Sequence, residues 1–69
     1  MTDHVYKLME IVGTSHDGHD AAVKAALERA RHSIRNIRWF EVVAQRGHLE
    51  DDGSIQHQVT LKIGFTLEA

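Results

Sequence analysis

The most constraining feature of this 69-residue sequence is a strict alternation of side chains between Ile55 and Leu67. Every second residue belongs to one set, which is apolar except at His57: Ile55, His57, Val59, Leu61, Ile63, Phe65 and Leu67. The residues between them are mostly polar. Because successive side chains of a β-strand point to opposite faces of the sheet, this period predicts a long strand with one buried face.

Three earlier segments complete a predicted β-α-β-β order. His4–Val12 is rich in residues that favour a pleated surface and is predicted to form the first strand. Ser15–Asn36 is predicted to be a loop followed by a helix, and Arg38–Leu49 to be the second strand. Glu50–Ser54 contains Asp-Gly, a strong hairpin signal, so the second and third strands are expected to pair antiparallel.

The predicted helix has one apolar stripe at three- and four-residue steps. Its members are Val23, Ala26, Leu27, Ala30, Ile34 and Ile37. Ser15 and Asp17 are both candidates for the N-cap. Small alanines along the stripe would let the helix lie close to a sheet.

The elements predict an α+β fold in one domain spanning residues 1–69. One helix covers one face of a three-stranded sheet and leaves the other face bare. A short chain with two sheet edges and an uncovered face is expected to form a homo-oligomer.

Trp39, the only tryptophan, is expected on the bare face. Simple alternation places Phe40, Val42 and Ala44 towards the helix, and Trp39, Glu41, Val43 and Gln45 on the other face with Gln58. The same count puts Arg46 on the other face of the sheet from Trp39, unless a bulge near Gly47 or a neighbouring subunit reorients it.

Composition excludes several classes of protein. The chain has no cysteine, so disulfides and thiolate metal sites are excluded. Its net charge of −2 argues against a general nucleic-acid surface. No apolar run reaches membrane-spanning length, and no signal peptide is apparent, so the expected location is the cytoplasm.

Six segments in order resemble the dodecins, a family of small flavin-binding proteins. They are Val5–Lys7, Glu10–Ser15, Arg35–Asn36, Trp39–Val43, Arg46–Gly47 and Gln58–Phe65. The resemblance runs from about Val5 to Glu68. It implies the same β-α-β-β fold, with a three-stranded antiparallel sheet wrapped around the helix. It also implies twelve copies in a hollow sphere, with flavins stacked in pairs between symmetry-related tryptophans.

By this resemblance, the protein is a non-enzymatic store or buffer of FMN or riboflavin that quenches the excited flavin. Trp39 corresponds to the stacking tryptophan, Gln58 to the glutamine that hydrogen-bonds the polar edge of the flavin, and Arg46 to a basic position associated with FMN. Thr66 stands where relatives often carry arginine, which bears on coenzyme A or phosphate binding.

Three other interpretations are open. A coenzyme A or other phosphate-ligand carrier would use the helix arginines Arg29, Arg31 and Arg35. A structural oligomer would bind no small ligand. An enzyme would need a nucleophile and a base; Glu10 and Glu41 could form a carboxylate pair, but nothing in the sequence supplies a nucleophile beside them.

A metal site is not predicted. The six histidines offer only two pairs, His16 with His19 near the helix start and His48 with His57 across the hairpin, whereas zinc needs three or four convergent ligands.

Overall fold

A computed structural model describes residues 3–67. The elements follow the order β1 (Tyr6–Ser15), α1 (His19–Ser33), β2 (Ile37–Leu49) and β3 (Ile55–Thr66). The predicted β-α-β-β fold is therefore confirmed, although β1 begins and ends later along the chain than predicted and α1 ends earlier.

The third strand forms the centre of the sheet, in the order β1-β3-β2 with both neighbours antiparallel. The alternation in β3 has the predicted effect. Val59, Leu61 and Ile63 are fully buried, whereas the residues between them are partly exposed. These three side chains are the largest buried groups in the described part of the chain, so β3 carries most of the core.

The helix packs on β1 and β3 through small residues. Ala22 and Ala26 are buried against Val59 and Leu61. Gly13 of β1 makes this approach possible, because a Cβ there would overlap the Ala22 carbonyl oxygen and lie 2.7 Å from the Ala26 Cβ. Val23 and Leu27 of the predicted stripe pack at the edge of this core.

Neither predicted N-cap residue caps the helix. The N-cap is Gly18, and no side chain bonds the first turn. Ser15 Oγ instead accepts a hydrogen bond of 3.0 Å from the Asp17 N–H, which closes a local turn before the helix. At the other end, Ile34 has extended backbone and Ile37 lies in β2, so both belong outside the helical stripe.

Two β-bulges interrupt the alternation of β2. Ile37 pairs with Phe65 and Trp39 with Gly64, so Arg38 is an extra residue; Val43 is extra in the same way. Each bulge uses two residues for one position of the partner strand and so reverses the faces of the residues that follow. The bulge at Val43 brings Ala44 opposite Thr60 and Gln45 opposite Val59. The prediction was therefore wrong for Ala44, which lies on the bare face, and for Gln45, which lies on the helix side.

The helix leaves part of its own side of the sheet uncovered. Phe40 and Val42 pair with the buried Ile63 and Leu61, yet 47% and 40% of their surfaces stay exposed. The radius of gyration is 14.4 Å, against about 11 Å for a compact chain of this length. Such apolar surface on an elongated chain is what packing between copies would bury.

Backbone hydrogen bonds close both ends of the sheet. The β2–β3 turn is held by Glu50 N–H to the Ser54 carbonyl and Gly53 N–H to the Glu50 carbonyl, both 2.9 Å. At the far end, the Leu67 N–H donates to the Val5 carbonyl at 2.9 Å. The first and last described strands therefore start and finish side by side.

Candidate functional site

The bare face of the sheet presents the indole of Trp39. Trp39 is 40% exposed and pairs with Gly64 on β3. A Cβ at position 64 would overlap Cε2 and Cζ2 of the indole and lie 2.6 Å from its Nε1. The indole therefore crosses the strand where the side chain of any other residue would project.

Tyr6 of β1 flanks this indole. The two ring centroids are 6.5 Å apart, and the rings meet edge-on at 67°. Such a separation and tilt are favourable for an aromatic pair, because the positive edge of one ring meets the negative face of the other. Trp39 is thus held in a defined place on the surface while much of its ring remains accessible.

Arg46 and Gln58 are brought together on the same bare face. The Val43 bulge places Arg46 opposite Gln58, and Arg46 Nε donates to Gln58 Oε1 at 2.7 Å. Sequence counting therefore assigned Arg46 to the wrong face of the sheet. The bulge that moves it to the bare face is at Val43 rather than near Gly47. The bulge at Arg38, similarly, sets the face of Trp39.

A second bond continues this polar chain. Gln58 Nε2 donates to Gln56 Oε1 at 3.0 Å. Because a guanidinium only donates, the Gln58 oxygen must face Arg46, which fixes the orientation of the amide. One N–H and one lone pair of that amide remain for a ligand, as do the terminal nitrogens of Arg46.

Trp39 and the Arg46–Gln58 pair do not meet within one chain. Six residues separate Gly64, beneath the indole, from Gln58 on the same strand. At the rise of an extended strand, this is about 20 Å. A single flat ligand that touches both must therefore take Trp39 from one copy and Gln58 from another.

Sequence reasoning did not single out Gly64, Tyr6 or Gln56 as parts of the site. For Gly64 a signal existed, because an isolated glycine inside a strand often marks a close approach. Tyr6 and Gln56 carry no comparable signal, because their contacts depend on strand pairing.

A second polar cluster lies at the hairpin end of the sheet. His16 Nε2 and Glu50 Oε1 are 3.0 Å apart, and Ser54 Oγ donates to Glu50 Oε2 at 3.0 Å. The hydrogen bond from His16, followed by that from Ser54, lowers the pKa of Glu50. Hydrogen bonds from the Ser54 hydroxyl and backbone likewise lower the pKa of Asp52. The loop before the helix is thus tied to the β2–β3 turn.

The histidines do not pair as either metal hypothesis required. His16 bonds Glu50, and His19 instead meets His57 edge-on, with centroids 4.8 Å apart. His48 pairs with Gln56 while His57 pairs with Gly47, so His48 and His57 face opposite sides of the sheet. Within residues 3–67, no three His, Asp or Glu side chains converge on a possible metal position.

The helix arginines separate into two places. Arg29 lines an open groove of about 570 Å³ between α1 and β1, together with Glu28 and His32. Arg31 and Arg35 line a different hollow of about 390 Å³, which also includes Arg38. The three arginines of the phosphate-ligand interpretation therefore do not form one site, although Arg38 joins two of them.

The fold and the bare face define a small α+β binding protein with an exposed aromatic platform, which is formed by Trp39 and Tyr6. The Dodecin family model matches residues 5–68. A dodecin from Thermus thermophilus is 50% identical over 64 residues, 93% of each chain. The solved dodecin from Streptomyces davaonensis has a TM-score of 0.92 at 43% identity, and the match covers 99% of this chain and 100% of that one. The chain belongs to the dodecin family.

Another relative carries the name of a ligand. A calcium dodecin from Mycobacterium tuberculosis is 33% identical over 63 residues, covering 91% of this chain and 89% of that one.

No helix in the described part of this chain is both long and apolar enough to cross a membrane.

Proposed function

We propose that this protein binds flavin without catalysing a reaction, and that it stores or buffers FMN or riboflavin in a homododecamer. One observation carries the proposal: the partly exposed Trp39 and a prearranged Arg46–Gln58 pair lie on the same uncovered sheet face. Family membership supports the assembly, and so does the distance between the two halves of the site.

The three residues fit the parts of a flavin. The indole of Trp39 offers a rigid surface to the flat ring system, and such stacking contributes about 1 kcal/mol beyond burial. The free N–H and lone pair of Gln58 match the mixed donors and acceptors of the flavin's polar edge. The terminal nitrogens of Arg46 suit a phosphate, which favours FMN.

Stacking also accounts for photoprotection. An electron-rich indole in contact with an excited flavin provides a route for rapid electron transfer, which quenches the excited state. The bound flavin would then neither fluoresce nor sensitise photochemistry. Storage and quenching need no nucleophile or general base. The expected cytoplasmic location stays a prediction.

Calcium binding belongs to the mycobacterial relative and is not extended to this chain. Calcium takes six to eight oxygen ligands. Within the described residues of one copy, no three His, Asp or Glu side chains form a cluster that could hold a metal ion.

The decisive experiment is titration of FMN with wild-type protein and Trp39→Ala while flavin emission is followed. The wild type should quench the emission to a saturable limit, and Trp39→Ala should lose most of this response. Leu49→Ala is the matched control, because it removes an exposed apolar side chain from the same strand, away from the indole. Full affinity in Trp39→Ala would refute the proposal.

A phosphate-ligand carrier is the second candidate, favoured by the hollow that Arg31, Arg35 and Arg38 line. Calorimetric titration with coenzyme A and with FMN separates the two functions. Arg38→Ala should weaken only the coenzyme A response if that hollow is used. A structural oligomer, the third candidate, would remain colourless and respond to neither ligand.

A further inference from the structure

The position of the Trp39 indole depends on two residues outside the proposed contacts. Beneath it, Gly64 leaves a space that a Cβ would fill, since that atom would overlap Cε2 and Cζ2 of the ring. Beside it, the Tyr6 ring meets the indole edge-on at 6.5 Å. The indole therefore packs over Gly64 of β3 and against Tyr6 of β1.

Both contacts are needed because Trp39 is otherwise weakly confined. Trp39 is 40% exposed as a residue and is not part of the buried core. A surface tryptophan can turn about two side-chain bonds, and ligand binding must remove whatever freedom remains. If neighbouring residues already order the ring, its side-chain entropy is lost during folding and no longer opposes binding.

We propose that Tyr6 and Gly64 are positioning residues that fix the plane of the Trp39 indole and present the face turned away from Gly64 to an aromatic ligand. Gly64 acts by lacking a side chain, and Tyr6 acts through its ring rather than its hydroxyl. The ligand part of this inference rests on the proposed flavin-binding function.

The test compares Tyr6→Leu, Tyr6→Phe and Gly64→Ala with wild type. Trp39 is the only tryptophan, so time-resolved anisotropy of its emission reports the mobility of this ring alone, without ligand. Tyr6→Leu and Gly64→Ala should increase the amplitude of fast indole rotation, whereas Tyr6→Phe should behave as wild type. FMN affinity should fall about 2- to 10-fold in the two disruptive variants, which corresponds to the binding free energy of one aromatic contact.

Val12→Ala is the control, because Val12 is an exposed apolar residue farther along β1. Far-UV circular dichroism and size-exclusion chromatography establish that each variant is folded and assembled. Should Gly64→Ala not fold, Tyr6→Leu carries the test.

The two measurements separate this inference from the proposed function. An unchanged anisotropy in Tyr6→Leu overturns the positioning role, whatever happens to FMN. A mobile indole with undiminished FMN affinity also overturns it. If wild-type protein does not respond to FMN but Tyr6→Leu mobilises the indole, the flavin assignment fails while the positioning of Trp39 stands.

Discussion

Subunit complementation should reveal how the two halves of the site are divided. Trp39→Ala and Gln58→Leu each lack one half, and each alone should bind FMN poorly. The halves lie about 20 Å apart in one chain, because six residues of an extended strand separate Gly64 from Gln58. We therefore expect the two variants to restore binding when they are unfolded, mixed in equal amounts and refolded together.

The size of the recovery follows from counting sites. If each site draws Trp39 from one copy and Gln58 from another, random mixing leaves about a quarter of the sites with both native residues. If both came from one chain, no site would be restored. The quenching amplitude at saturating FMN, relative to wild type, measures this fraction.

A second mixture provides the control. Wild type refolded with the double variant Trp39→Ala/Gln58→Leu should again retain about a quarter of the sites if two copies share each one, but about half if one chain builds it. Mixed oligomers must be verified by mass spectrometry. No recovery in the first mixture, with half retained in the second, would refute the inter-subunit reasoning.

Three further predictions follow from individual contacts. Arg46→Ala should weaken FMN binding about 10-fold but riboflavin binding less, because only FMN has a phosphate for a charge-assisted bond; competition titration checks this, and an unchanged preference would contradict the phosphate contact. Gly13→Ala should lower the free energy of unfolding by about 1–3 kcal/mol, because its Cβ would push the helix from the sheet; denaturant unfolding at fixed protein concentration measures the loss. Glu50→Gln should flatten the decrease in the free energy of unfolding at acid pH. In the folded protein the hydrogen bond from His16 lowers the pKa of Glu50. The stabilisation from Glu50 is therefore present above the ordinary pKa of 4.5 and is lost as pH falls through the folded pKa.

Matched variants make these outcomes interpretable. Lys24→Ala also removes one positive charge, but from an exposed helix position outside both candidate sites. Gly47→Ala is the comparison for Gly13→Ala, because its Cβ would meet only the Ile55 side chain at 3.3 Å and a backbone oxygen at 3.9 Å. If these controls changed the same measurements equally, the specific contacts would not be responsible.

The order of elements and the buried face of β3 could be predicted from sequence because both depend on local periodicity. Val59, Leu61 and Ile63 lie in an uninterrupted alternation, and all three are buried. The helix was recognisable from its apolar steps, but its start was not, since Ser15 Oγ bonds a turn rather than the first helical N–H groups.

Counting placed Trp39 and Glu41 correctly on the bare face of β2, but it could not predict the faces of the residues after Val43. A bulge adds a residue without adding a paired position, and nothing in the composition around Arg38 or Val43 marks one. The count was therefore correct for Gln58 on the regular strand and wrong for Arg46 on the irregular one. Strand pairing alone brings these two side chains within hydrogen-bonding distance.

The hydrogen bond between residues 5 and 67 has a practical consequence for protein engineering. Val5 precedes Tyr6, which contacts Trp39, so an affinity tag fused directly to Val5 or Leu67 would lie near the proposed ligand site. A circular permutant offers an alternative: a short linker joins Val5 to Leu67, and new ends open at the exposed turn around Asp51 and Asp52, at the opposite end of the sheet. Labels attached there would leave the aromatic platform clear.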